Sequence, residues 1–147
     1  MTKNKLVLAF SGGLDTSRCL VDLSKEYEVH TCTVDTGALT EEDRADIAGK
    51  AKLLGAVSHK LIDAKQVYFS DVIQYLIKGN VLKGGVYPLS VGAERGFQAK
   101  LTIEYANEIG AEAVAHGSNE AANAQFRFDK EIQVLEPEME IITTVTE

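Results

Sequence analysis

Five short apolar runs are spaced along the chain, from Leu6 to Phe10, Val29 to Val34, His59 to Ile62, Ala113 to His116 and Ile141 to Val145. Most are continuous and do not alternate with polar residues. That is the pattern of strands covered on both faces, and therefore of a parallel sheet between two helical layers. Segments of helical period lie between the runs. Leu14, Cys19, Leu20 and Leu23 mark one apolar stripe, opened by Asp15 and Thr16. Ile47, Ala51 and Leu54 mark a second. It is opened by Thr40, which can cap it, and by Glu41, Glu42 and Asp43, whose negative charge suits a helix start. Gly55 and Gly110 follow helical segments as stops. This alternation, closed by right-handed crossovers, predicts an α/β fold: a Rossmann-like, doubly wound parallel five-stranded sheet whose ligands bind beyond the carboxyl ends of its strands.

One stretch breaks the rhythm. Gly79 to Gly96 holds five glycines and Pro88, and it reads as a looser segment placed to line a site. Tyr68, Phe69, Tyr75 and Leu76 recur at helical spacing and read as core packing.

The first run ends in Ala9-Phe10 and is followed at once by Ser11, Gly12 and Gly13, with a helix expected from Leu14. An anion belongs in such a strand-to-helix turn. The glycines can take positive φ and bring main-chain N–H groups close to a ligand, and the helix start adds unpaired N–H groups and about half a positive charge. Ser11, Thr16 and Ser17 supply hydroxyl donors. The turn has neither the Gly-Lys-Ser/Thr ending of a Walker loop nor the third glycine of a dinucleotide fingerprint. The competing reading is a capped turn, in which Ser11 and Asp15 only satisfy helix N–H groups.

Composition narrows the classes. A chain of 147 residues with 45% apolar and 25% charged residues suits one domain with its own core, and neither disorder nor a membrane class. No run reaches the roughly 20 apolar residues of a spanning helix, and the start at Met1 carries no signal region, so a cytoplasmic protein is expected. Cys19 and Cys32 have no zinc or disulfide spacing and read as small buried hydrophobes. A net charge of −7 with scattered Lys and Arg excludes bulk nucleic acid as a partner. His30 and His59 read as structural, and His116, at the end of the fourth run, as bonded to backbone with a functional role open.

Ser-Gly-Gly-x-Asp-Ser/Thr directly after a strand resembles the pyrophosphate loop of ATP pyrophosphatases. The whole run Leu8-Ala9-Phe10-Ser11-Gly12-Gly13-Leu14-Asp15-Thr16-Ser17 is similar to the start of the argininosuccinate synthase family. Thr33 to Gly37, Tyr87-Pro88-Leu89, Ala113 to Gly117 and Gln125 to Phe128 extend the likeness in order and spacing. The resemblance implies an adenine nucleotide alpha hydrolase-like domain over residues 1–147, without the family's longer second half. It also implies ATP on residues Ala9 to Ser17, Val34 and Gly117, with Mg²⁺ carried on the phosphates. Asp15 is the candidate catalytic residue and metal aid, with helix capping as its alternative role. Tyr87 and Arg127 would contact citrulline, and Asn123 both citrulline and aspartate. The implied reaction is adenylation of citrulline with loss of pyrophosphate, then condensation with aspartate, in a family of homo-oligomers. Asn119 to Ala124 departs from the family pattern, with Ala124 where an acid stands and Gly92 where a serine stands. That departure supports a second reading, a stand-alone adenine-nucleotide-binding or regulatory module.

Overall fold

In a computed structural model of the protein, residues 3–118 and 124–143 are described, without the side chains of Val91 and Ala124. The chain runs β1 (Lys5–Ala9), α1 (Leu14–Leu23), β2 (Glu28–Asp35), α2 (Glu41–Leu53) and β3 (Ser58–Asp63). A short α3 (Lys65–Tyr68) then passes through a π-helical turn, Phe69–Ile73, into α4 (Gln74–Lys78). A hairpin of β4 (Leu82–Lys83) and β5 (Tyr87–Pro88) leads to α5 (Ser90–Ile109), β6 (Ala113–His116), α6 (Ala124–Leu135) and β7 (Glu140–Thr143).

The five long strands form one parallel sheet in the order β3-β2-β1-β6-β7. Leu6, Val7 and Leu8 of the central strand are fully buried, as a strand covered on both faces must be. Side chains alternate across it. Leu6 and Leu8, with Phe10, pack against Cys19, Leu20 and Leu23 of α1 and Ile47 and Ala51 of α2. Val7 packs on the opposite face with Ala99 and Ile103 of α5 and Phe128 and Ile132 of α6. The chain builds outward from β1 to β3 and then crosses back to β6, so the direction of winding reverses between β1 and β6. The carboxyl ends of those two strands frame the crevice where doubly wound sheets bind ligands.

Thr40 closes a capping box at the start of α2. Its Oγ1 accepts from the Asp43 N–H at 3.1 Å, and its own N–H donates to Asp43 Oδ2 at 2.9 Å. Gly55 (φ 100°) follows α2, and Gly110 (φ 66°) ends α5 in the left-handed conformation.

Three expectations need correction. Leu14 is 86% exposed, and the buried stripe of α1 is Thr16, Cys19, Leu20 and Leu23, which keeps the 3.6-residue period that Leu14 breaks. Phe69 (50% exposed) and Tyr75 (61% exposed) are not core, because the π-helical turn shifts the helical register and leaves Tyr68 facing inward against Phe97, 5.2 Å between ring centroids. The glycine-rich stretch is loop and hairpin only as far as Leu89, since Ser90 to Gly96 form the first turns of α5. There the glycines face α6. A Cβ on Gly92 would collide with the Arg127 guanidinium, and one on Gly96 would stand 3.3 Å from Glu131 Oε2.

Both cysteines are buried. His30 is held by Ser58 at 2.7 Å and Glu28 at 3.1 Å, and His59 Nδ1 lies 2.9 Å from Thr31 Oγ1, in keeping with structural roles.

Candidate functional site

A cavity of about 430 Å³ opens at the carboxyl edge of the sheet, over the point where the winding reverses. Phe10, Ser11, Asp15 and Thr16 line it from the turn after β1. Gly12 sits in that turn at φ +73°, and a Cβ there would stand 3.1 Å from Ile47 Cγ1. Gly13 is extended (φ −75°, ψ 172°) and caps α1 with no side-chain bond. Ser11 Oγ turns to the Gly13 N–H at 3.3 Å and lies 3.2 Å from Thr16 Oγ1, while the Ser17 N–H is taken by the Gly13 carbonyl at 3.0 Å. Ser11 Oγ thus satisfies one N–H at the helix start, as the capped-turn reading has it, whereas among the described residues the Asp15 carboxylate accepts no helix N–H. Asp15 is exposed at the cavity mouth in the first turn of α1. Ala9 closes the cavity floor, whereas Leu14 faces away.

The end of β6 is pressed against this turn. A Cβ on Gly117 would lie 2.8 Å from Thr16 Cγ2 and 3.2 Å from the Thr16 backbone nitrogen, so only glycine lets the two loops meet. His116, 1% exposed, receives the Ser118 N–H on Nδ1 at 3.3 Å, which leaves the proton on Nε2 to be donated to Asp129 Oδ1 at 2.6 Å. The expected backbone bond is present, and the carboxylate partner from α6 is an addition that sequence spacing does not reveal.

The end of β2 forms the next wall, with Val34, Asp35 and Thr36. Asp35 is 1% exposed and organises the loop that follows. It accepts the Gly37 N–H at 2.8 Å, the Leu39 N–H at 3.4 Å and Arg44 Nε at 2.9 Å. Burial alone would push its carboxyl up, but the Gly37 N–H, the Arg44 guanidinium and the Leu39 N–H outweigh it and hold the group below the ordinary carboxylate range.

The remaining wall comes from α5, whose first turns, up to Gly96, the sequence placed in the looser stretch. Glu94 and Gln98, one turn apart, and Thr102, one turn further, face the cavity. This polar stripe at i, i+4 and i+8 was the available signal, hidden by the glycines around its start.

Two expected substrate residues are not gathered here. Tyr87 is 50% exposed on the hairpin, its ring 5.9 Å from Lys83 Nζ. Arg127 lies in a separate groove of about 460 Å³ between α5 and α6, beside Gly92, Lys100, Lys130 and Glu131. Asn123, like Asn119 to Ala122, lies outside the described residues, and the described part of α6 starts at Ala124. Among the described residues no three His, Cys, Asp or Glu side chains are grouped as a metal site. Nor is any helix among them long and apolar enough to cross a membrane.

Fold and site together define an α/β domain with a glycine turn and a cavity at the reversal point of a parallel sheet. Solved structures share that architecture. An NH3-dependent NAD synthetase from Campylobacter jejuni superposes with a TM-score of 0.62 at 16% identity, over 82% of this chain and 49% of that one. A predicted subunit of tRNA methyltransferase from Methanocaldococcus jannaschii superposes at 0.61 and 18%, over 97% and 68%. Sequence comparison is more specific: the chain belongs to the argininosuccinate synthase family, matching the description "Arginosuccinate synthase N-terminal HUP domain" over residues 5–147. It is 44% identical to the argininosuccinate synthase of M. jannaschii over 95% of the chain and 35% of that relative. The argininosuccinate synthase of Pyrobaculum aerophilum is 42% identical over 97% of the chain and 36% of its own length. The chain thus spans about a third of the length of these relatives.

Proposed function

We propose that this chain is the ATP-holding part of an argininosuccinate synthase, acting in the cytoplasm. The observation that carries the reading is the turn itself. Gly12 at positive φ turns the chain from β1 into α1, and Ser11, Asp15 and Thr16 of that turn line a cavity at the reversal point of the sheet, beside a helix start whose first N–H groups favour an anion. Donors fixed in advance around a developing charge are what expulsion of pyrophosphate requires. The ureido oxygen of citrulline would attack the α-phosphate of ATP, forming a P–O bond as the bond to the β-phosphate bridging oxygen breaks. The aspartate amine would then attack the ureido carbon, AMP would leave, and a proton would be lost from the new nitrogen link.

Asp15 fits a magnesium ion, which takes one or two carboxylates together with substrate phosphates. The ion, when bound, neutralises phosphate charge. Tyr87, Arg127 and Asn123 are assigned to the amino-acid substrates by resemblance. Family membership favours this reading over a stand-alone regulatory module.

Calorimetric titration with Mg-ATP tests it. Saturable binding is expected, competed by pyrophosphate and weakened by Gly117→Ala, whose methyl would push the Thr16 backbone away. Failure of ATP to bind at millimolar concentration would overturn the reading. Adding citrulline and aspartate to the ATP complex, with release of pyrophosphate as the readout, tests the synthase step.

A further inference from the structure

Phosphates on the Ser11–Thr16 turn leave the nucleoside to extend toward the end of β2 and the first turns of α5. Resting on that nucleotide reading, we propose that Glu94 selects the base, by accepting a hydrogen bond from an exocyclic amino group such as the 6-amine of adenine.

Glu94 is half-buried and lines the same cavity as the turn. Thr36 Oγ1 donates to its Oε1 at 2.5 Å, and Gln98 Nε2 donates to that same oxygen at 3.4 Å. Both neighbours use one oxygen, so Oε2 is left to accept. Among the described residues no lysine or arginine pairs with this carboxylate, and the adjacent Arg95 gives Nη1 to Gln98 Oε1 at 3.2 Å instead. Glu94 Oε2 thus stands without a partner on the cavity wall, which Arg95 also lines. An unpartnered carboxylate oxygen there attracts N–H donors and disfavours keto oxygens, which suits an amine-bearing base.

Val34 supplies the surface for that base. It lines the cavity at the end of β2, just before Thr36 in the loop that follows the strand, and packs with Tyr68 and Phe97. A ring resting on Val34 would share the cavity with Thr36 and Glu94. Acidic side chains read the exocyclic amine of cytosine in this way, and the 6-amine of adenine offers the same donor.

Glu94 also ties α5 to the end of β2 through Thr36, and Glu94→Gln separates the two roles. The amide oxygen still accepts from Thr36, while the second oxygen becomes an N–H2 donor. The chain is titrated with the magnesium complexes of ATP, 2′-deoxy-ATP and ITP, whose base carries a keto oxygen in place of the amine. Wild-type protein is expected to favour ATP over ITP by about tenfold to a hundredfold, the range of a charge-assisted bond, and to bind deoxy-ATP like ATP. E94Q is expected to lose that preference while unfolding at the wild-type temperature. Equal binding of ATP and ITP by the wild type, or a preference that survives in E94Q, would overturn the proposal. A penalty on deoxy-ATP that vanishes in E94Q would move the contact to the sugar and equally overturn it. Binding of none of the three would instead strike the nucleotide reading beneath it.

Discussion

Adjacent glycines in the turn after β1 have different obligations. Gly12 is at φ +73° with Ile47 close behind it, whereas Gly13 is at φ −75°, a value any residue adopts. Gly12→Ala is therefore expected to cost about 1 kcal/mol or more through backbone strain, and Gly13→Ala less, in urea unfolding of the two variants. Asp35 carries a pH dependence whose sign follows from its depressed carboxyl. Because its value falls below the ordinary 3.8 in the folded chain, its contribution is complete above that value and is lost as pH falls through the folded one. Asp35→Asn should destabilise at neutral pH, by less than the about 3–5 kcal/mol of a fully buried pair because Arg44 is 23% exposed. The gap between the unfolding midpoints of variant and wild type should narrow as pH is lowered from about 5 to about 3. The glycines of the turn were legible from residue type and position after a strand. Asp35 and its partner Arg44 were not, since nothing local ties a strand end to a helix nine residues on.

At the scale of elements, legibility followed how locally each element is determined. The strands show in the sequence because burial on both faces demands unbroken apolar runs, and α2 shows because its cap is a four-residue pattern. Thr40→Ala should cost about 1 kcal/mol by removing the acceptor for the Asp43 N–H, measured by thermal unfolding. The start of α5 is different. Gly92 and Gly96 disfavour a helix by propensity, yet tertiary contact imposes one, because those positions face the Arg127 and Glu131 side chains of α6 while Phe97 and Ala99 are buried. Misreading that start as loop concealed Glu94 and its place on the cavity wall. Tyr87 and Arg127 were chosen by resemblance alone, and their distance from the cavity depends on where the hairpin and α6 dock.

For the molecule as a whole, both thiols report on global opening. Cys19 and Cys32 are 2% and 1% exposed, and burial pushes the Cys32 thiol from 9.0 up to about 12. Alkylation at mildly alkaline pH should be slow in the folded chain and fast in urea, as followed by mass spectrometry. The linkage has the opposite direction to that of Asp35. A raised value gives a contribution that is complete below about pH 9 and lost as pH climbs toward 12, so stability should decline on the alkaline side.

The contact between Gly117 and Thr16 joins positions a hundred residues apart in the chain. A polypeptide still growing, or one cut short before β6, would contain every letter of the glycine turn and yet possess no receptacle, with an edge of the Leu6-Val7-Leu8 strand laid bare to other chains. Competence to hold a ligand should therefore emerge late and abruptly during synthesis, when β6 docks.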